Sequence, residues 1–135
     1  MATSGVGIDV CTVDRVRELL ETDMGDYWME RIFTTVEREA MKKRFHSETG
    51  TQRARFAVHV AGMYAAKEAI GKATGKGLMG EGRLAWQEVE ITHTEDGAPE
   101  AKVLNPKWSN RRFDISISHD GGIATAFAIL WPEEK

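Results

Sequence analysis

The sequence predicts an α+β fold in which a long central helix packs on a mainly antiparallel sheet. Three observations carry this. After a short strand signal at residues 5–10, apolar residues keep helical spacing as far as residue 74. From Trp86 onward the pattern becomes alternation broken by turns, and helices followed by strands are the mark of a segregated α+β chain. Between them, Ala61, Gly62, Ala65, Ala66, Ala69, Gly71 and Ala73 crowd one helix with small residues, which lets neighbouring backbone come close on several sides. With 135 residues, 41% hydrophobic and 29% charged, residues 1–135 are expected to form one domain.

Taken in order, Gly5-Val6-Gly7-Ile8-Asp9-Val10 reads as a strand that gives way to helical spacing at Val13, Val16, Leu19 and Leu20, with Thr12 as N-cap. Residues 27–33 form a second short helix. Thr34-Thr35-Val36-Glu37 has the Ser/Thr-x-x-Glu form of a capping box and starts a third helix through Met41. Ser47-Glu48-Thr49-Gly50-Thr51 interrupts the pattern, and the long helix follows over 51–74. The glycine-rich stretch 75–82 suits a turn or a phosphate contact equally and lacks Walker A spacing. Residues 86–91 form a strand, 95–99 a turn and 101–104 a short partner strand. Phe113, Ile115 and Ile117 face one way and Asp114, Ser116 and Ser118 the other. His119-Asp120-Gly121-Gly122 then turns the chain into a last strand over 123–131.

A net charge of -3 gives no general attraction to nucleic acid or to an anionic membrane, and no apolar run approaches the ~20 residues that span a bilayer. Residues 37–57 form a local exception, with six basic residues (Arg38, Lys42, Lys43, Arg44, Arg53, Arg55) against three acids, a patch able to orient an acidic partner. The N-terminus has neither a basic start nor an apolar signal core, and the single cysteine, Cys11, excludes an internal disulfide; a cytoplasmic protein is expected. Cys11 reads as a small buried hydrophobe, and His46, His59, His93 and His119 lack zinc-like spacing. Neither a nucleophile elbow nor a dinucleotide fingerprint is present.

On the long helix, Glu68 and Lys72 are i,i+4 neighbours, a spacing that by itself describes an ordinary surface ion pair. Lys67 projects into the apolar stripe of Phe56, Val60, Met63 and Ile70, where an ammonium needs a partner, a ligand or a route to solvent. Asp9, near a strand end, suits either local backbone hydrogen bonds or a metal or phosphate.

The order of these features resembles the holo-acyl-carrier-protein synthase type of 4′-phosphopantetheinyl transferase along nearly the whole chain. Its anchors are Gly7-Ile8-Asp9 with Arg15 six residues after the aspartate, Ala65-Ala66-Lys67-Glu68-Ala69 with Lys72 four residues after the glutamate, and Ser116-Ile117-Ser118-His119 before an alanine-rich strand. Arg31-Ile32-Phe33-Thr34 leading to Glu37, and 86–91 followed by Gly97 and Pro99, match more loosely. The resemblance implies the α+β fold of that family, and Mg²⁺-dependent transfer of the phosphopantetheine arm of coenzyme A to a serine of an apo acyl carrier protein or carrier domain, releasing adenosine 3′,5′-bisphosphate. Asp9 and Glu68 would hold Mg²⁺, a hard ion that accepts a few carboxylates and completes its shell with water and phosphate oxygens. A metal-bound water or Glu68 would take the serine proton.

The same resemblance implies that Lys67 and Lys72 contact the diphosphate, that Gly75, Lys76, Gly77, Ser118 and His119 line the coenzyme A site, and that Arg15, Arg38 and Lys42 dock the acidic face of the carrier. It also implies a homotrimer with sites between subunits. The chain departs from the family at Met63, where an arginine is frequent; Arg53 or Arg55, upstream on the same helix, are the candidates to compensate. A non-catalytic module that binds coenzyme A or a carrier is the alternative, as is another Mg²⁺-dependent enzyme acting on nucleotide diphosphates.

Overall fold

The Gly-x-Gly-x-Asp start of the chain becomes strand β1 (Gly5–Thr12) in the computed structural model, which describes residues 4–133. Helices α1 (Val13–Leu20), α2 (Gly25–Ile32) and α3 (Thr35–Arg44) lead to the 24-residue helix α4 (Gly50–Ala73). A 3-10 turn, Trp86–Glu88, precedes β2 (Val89–His93), which pairs antiparallel with β3 (Pro99–Val103); β4 (Phe113–Asp120) and β5 (Ile123–Leu130) complete the chain. The larger sheet has the order β1-β5-β4 and is antiparallel throughout. The α+β architecture with a long helix on antiparallel sheets is therefore as expected.

Strand alternation explains how α4 and this sheet come together. The sheet's inner face carries Gly5, Gly7 and Asp9 from β1, opposite Leu130, Ala128 and Ala126 from β5. Small residues on this face meet small residues on α4, so backbone approaches backbone. A Cβ at Gly7 would lie 2.0 Å from the Ala69 carbonyl oxygen, and one at Gly5 would lie 2.0 Å from that of Ala73. Glycine at these two positions is thus a packing requirement, and it lays Asp9 against the C-terminal half of α4. On the other flanks of α4, Val16, Ile32, Phe33 and Met41 from the helices and Val89, Ile91 and Val103 from the hairpin complete one apolar core. A helix covered on all sides is expected to be small or apolar all round, as the middle of α4 is.

Several element ends differ from expectation for local reasons. Thr12 sits at the N-cap of α1 without a side-chain cap bond, whereas Thr49 caps α4, its hydroxyl accepting from Gln52 N. The strand expected from Trp86 begins only at Val89, because Glu88 folds back to accept from Ala85 N and closes a 3-10 turn. His119 and Asp120 belong to β4 and not to the turn, which consists of Gly121 and Gly122 alone, with φ of 55° and 81°. Positive φ at both residues is what a two-residue hairpin of the I′ type demands. Among the described residues, no helix is long and apolar enough to cross a membrane.

Candidate active site

Asp9, Glu68 and Lys72 meet along the edge where β1 lies on α4. Lys72 Nζ donates to Asp9 Oδ1 and to the Ile8 carbonyl, both at 3.0 Å. The sequence pair Glu68–Lys72 is thus completed by a third group that is 59 residues from its nearer member in the chain but adjacent in space. Asp9, Cys11, Arg15, Trp28, Tyr64 and Glu68 line a cleft of about 370 Å³ beside this edge. Burial raises the Glu68 carboxyl above the ordinary range and the Asp9 charge raises it further, while Lys72 and a hydrogen bond from Tyr64 oppose both. Two carboxylates facing one ammonium leave surplus negative charge, an environment suited to a small dication. Among the described residues no three His, Cys, Asp or Glu side chains are placed to hold a metal ion by themselves. A two-carboxylate donor set fits Mg²⁺, which keeps water and substrate phosphates in its shell.

Tyr64 and its aromatic neighbours escaped sequence reading. Its ring stacks on Trp86 at 5.2 Å and contacts Trp28 at 5.5 Å, and its phenol is pushed up to about 12 by burial and then by the Glu68 charge. The i,i+4 spacing of Tyr64 and Glu68 was the available signal. Cys11 lines the same cleft, but burial and then the Asp9 charge raise its thiol, keeping it from the thiolate form a nucleophile needs.

Three expectations need correction. Lys67 does not face the cleft. Its ammonium is fully buried, 2.6 Å from Glu37 Oε1, and donates to the carbonyls of Ile32 (3.0 Å), Trp86 (3.0 Å) and Val89 (2.6 Å). Its donors are used within the core, so it makes no diphosphate contact. Burial pulls its pKa down while Glu37 and then Glu90 hold it up.

The glycine loop is corrected in part: the Gly75 and Gly77 amides donate to the Lys72 and Gly71 carbonyls, both at 2.9 Å, closing the end of α4. What Gly75 offers instead is a bare wall, which with Lys72, Lys107 and Trp108 borders a cleft of about 500 Å³. Lys76 beside them is exposed. The third correction concerns the basic patch, which is divided. Arg38 and Lys42 line a cleft of about 610 Å³ that also holds Asp26, Glu30 and Glu48, and Arg38 is pinned to the Phe33 carbonyl at 3.2 Å. Arg44 and Arg55 line a different cleft.

Ser118 and His119 lie on β4, separated from β1 by β5. Ser118 pairs with Thr125, across from Val10, and His119 with Ala124, across from Cys11. Being consecutive strand residues they face opposite sides, Ser118 outward and His119 toward the α4 side. Arg15 of α1 borders the Asp9 cleft.

With this geometry in view, comparison decides the family: the model of the 4′-phosphopantetheinyl transferase superfamily matches residues 5–130. The chain belongs to that superfamily. Curated members of it resemble the chain along nearly their full length. A holo-[acyl-carrier-protein] synthase of Caldanaerobacter subterraneus subsp. tengcongensis is 34% identical over 92% of this chain and 91% of its own. One of Nitratiruptor sp. is 38% identical over 93% and 97%. Among solved structures, a holo-(acyl-carrier-protein) synthase from Bacillus anthracis in complex with CoA (3′,5′-ADP) superposes with a TM-score of 0.73 at 29% identity, over 96% of both chains. The acyl carrier protein synthase of Plasmodium yoelii, with ADP bound, shares the fold with a TM-score of 0.79 at 23% identity over 96% of both chains. Asp9, Glu68 and Lys72 all fall inside the matched span.

Proposed function

We propose that residues 1–135 act as one holo-acyl-carrier-protein synthase domain in the cytoplasm, transferring the 4′-phosphopantetheine arm of coenzyme A to a serine of an apo carrier protein. The observation that carries this reading is the convergence of Asp9, Glu68 and Lys72 at one edge, in a chain whose relatives are holo-acyl-carrier-protein synthases. The serine hydroxyl oxygen forms a bond to the phosphorus that bears pantetheine, and the bond from that phosphorus to the bridging oxygen of adenosine 3′,5′-bisphosphate breaks. The attacking oxygen loses its proton to Glu68 or to a water that Glu68 orients. Lys72, already held by Asp9 and the Ile8 carbonyl, places its charge beside the leaving bisphosphate. Asp9 and Glu68 would hold Mg²⁺, which when bound would supply charge neutralisation of the diphosphate. Arg15, on the rim of this cleft, meets the acidic surface of the carrier.

A homotrimer follows from the same reading. Asp9 and Glu68 belong to the β1 edge and His119 to the β4 edge, so one substrate touching both sets draws them from two copies of the chain. The outer face of the sheet supports this, because Val6, Ile8, Val10 and Phe127 are between 41% and 65% exposed there, an apolar patch of the kind that marks an interface.

The test is incubation with coenzyme A, Mg²⁺ and a panel of apo carrier proteins from fatty-acid, polyketide and peptide-synthesising systems. A carrier serine should gain phosphopantetheine mass, and Glu68→Gln, which removes charge but keeps shape, should abolish the gain. Stoichiometric coenzyme A binding without turnover across the panel, unchanged by Glu68→Gln, overturns the transferase reading.

A further inference from the structure

Along α4 the Glu68 carboxylate has a neighbour on each side, Lys72 one turn on and Tyr64 one turn back. Lys72 is committed to Asp9 and the Ile8 carbonyl. Tyr64 donates its phenol hydrogen bond to Glu68, and both side chains line the cleft that also holds Asp9 and Arg15. The bond-making and bond-breaking of transfer leave Tyr64 without a role.

Tyr64 is braced from behind. Its ring lies nearly parallel to that of Trp86, with centroids 5.2 Å apart and planes inclined by 23°, and meets Trp28 at 5.5 Å. Trp28 in turn stands edge-on to the fully buried Phe33, at 5.8 Å and 81°. The two tryptophans come from α2 and from the 3-10 turn Trp86–Glu88, and Gln87 of that turn ties the two elements together by donating to the Glu30 and Phe33 carbonyls. A tyrosine has only two side-chain torsions, so a ring gripped in this way fixes where its oxygen stands.

We propose that Tyr64 is a positioning residue for phosphopantetheine transfer, its hydroxyl holding one oxygen of Glu68 so that the rest of the carboxylate faces Asp9 and the incoming serine, with Trp28 and Trp86 as the frame that aims it. The inference rests on the transferase reading for the task of Glu68. A glutamate has three torsions to order, and a carboxylate left free must be ordered on the way to the transition state. The phenol orders it beforehand. Being neutral, it does so without cancelling the negative charge of the site, as an arginine or lysine in its place would.

The test uses Tyr64→Phe, which keeps the ring and its stacking and removes one oxygen. With coenzyme A, Mg²⁺ and a carrier that the wild-type protein modifies, kcat should fall by about tenfold to a hundredfold, the range that a hydrogen bond to a charged group accounts for. KM for coenzyme A and for the carrier should stay within about twofold. Trp86→Leu should lower kcat in the wild-type background and add little in Tyr64→Phe, because the frame acts through the hydroxyl. A readout independent of turnover is carboxyl NMR of metal-free protein carrying isotope-labelled glutamate. The Glu68 resonance, assigned by its loss in Glu68→Gln, should shift in Tyr64→Phe. An unmoved resonance overturns the proposal whatever happens to kcat. A moved resonance with kcat within about twofold of wild type also overturns it, as does a loss carried by KM instead of kcat. Equal losses from Trp86→Leu in both backgrounds overturn the frame. A moved resonance in a protein that modifies no carrier upholds the hold on Glu68 and counts against the transferase reading instead.

Discussion

Lys67 and Lys72 are five residues apart on one helix and have opposite employments. Lys67 is sealed in the core against Glu37 and three carbonyls; Lys72 is 48% exposed and reaches Asp9. Removing one member of a buried ion pair costs about 3–5 kcal/mol because it strands the other, whereas an exposed pair contributes under about 1 kcal/mol. Lys67→Met should therefore lower the urea midpoint sharply while folded protein keeps its rate of transfer. Lys72→Met should leave the midpoint nearly unchanged and remove transfer. The sign of the Glu68 effect is equally definite. Its raised pKa means that the native state holds the proton more tightly than the unfolded chain, so stability falls as pH rises from the ordinary carboxylate value to the raised one. In the absence of Mg²⁺, Glu68→Gln should raise Tm at neutral pH even as it abolishes transfer, and an unchanged or lowered Tm would show that the carboxylate is not under this strain.

Elements were legible in the sequence where the signal is local. The capping box at Thr34 is present in full, Thr34 Oγ1 accepting from Glu37 N at 3.1 Å and Glu37 Oε1 from Thr34 N at 2.8 Å. The further reach of Glu37, whose Oε2 accepts from Ile91 N at 2.7 Å across 54 residues, has no periodicity to announce it. For the same reason Lys67 was visible as an anomaly but not as the partner of Glu37. Asp9, Glu68 and Lys72 were recoverable because their order along the chain resembles a family, not because spacing places β1 on α4. That placement depends on Gly5 and Gly7, and Gly7→Val should unseat the strand at a cost of at least about 3 kcal/mol, since a Cβ there meets backbone that cannot move aside. The His59–His93 stack was likewise invisible, being formed by α4 against the end of β2. It gives this junction an acid sensitivity. His59 titrates near 4 in the folded protein against 6.5 in its absence, so the native state binds fewer protons and stability is lost as pH falls between those values, by up to about 3 kcal/mol. Urea unfolding at about pH 5 and pH 7 should show that loss, and His59→Phe, stacked on Phe45, should reduce it.

At the scale of the whole molecule, the sheet separates the functional groups it presents. Asp9 and His119 sit on opposite edge strands, and the exposed apolar residues Ile8 and Phe127 stand side by side in register on the outer face. In the proposed trimer, burying that face between copies would join the β1 edge of one chain to the β4 edge of the next, the head-to-tail arrangement that closes into a ring. Sedimentation should accordingly find a species of three times the 15.1 kDa chain mass. Phe127→Asp should yield an inactive monomer, because a carboxylate in an apolar interface is left without a partner. Mixing separates a shared site from one that is complete within each chain. Glu68→Gln damages only the β1 edge of a copy and His119→Ala only the β4 edge. If the site is shared, an interface that takes its β1 edge from the His119→Ala chain and its β4 edge from the Glu68→Gln chain has both groups intact. Unfolding and refolding the two inactive variants together in equal amounts should then restore about a quarter of the wild-type transfer rate, the fraction of interfaces of that kind in randomly assembled rings. If each chain carries its own complete site, the mixture stays as inactive as its components.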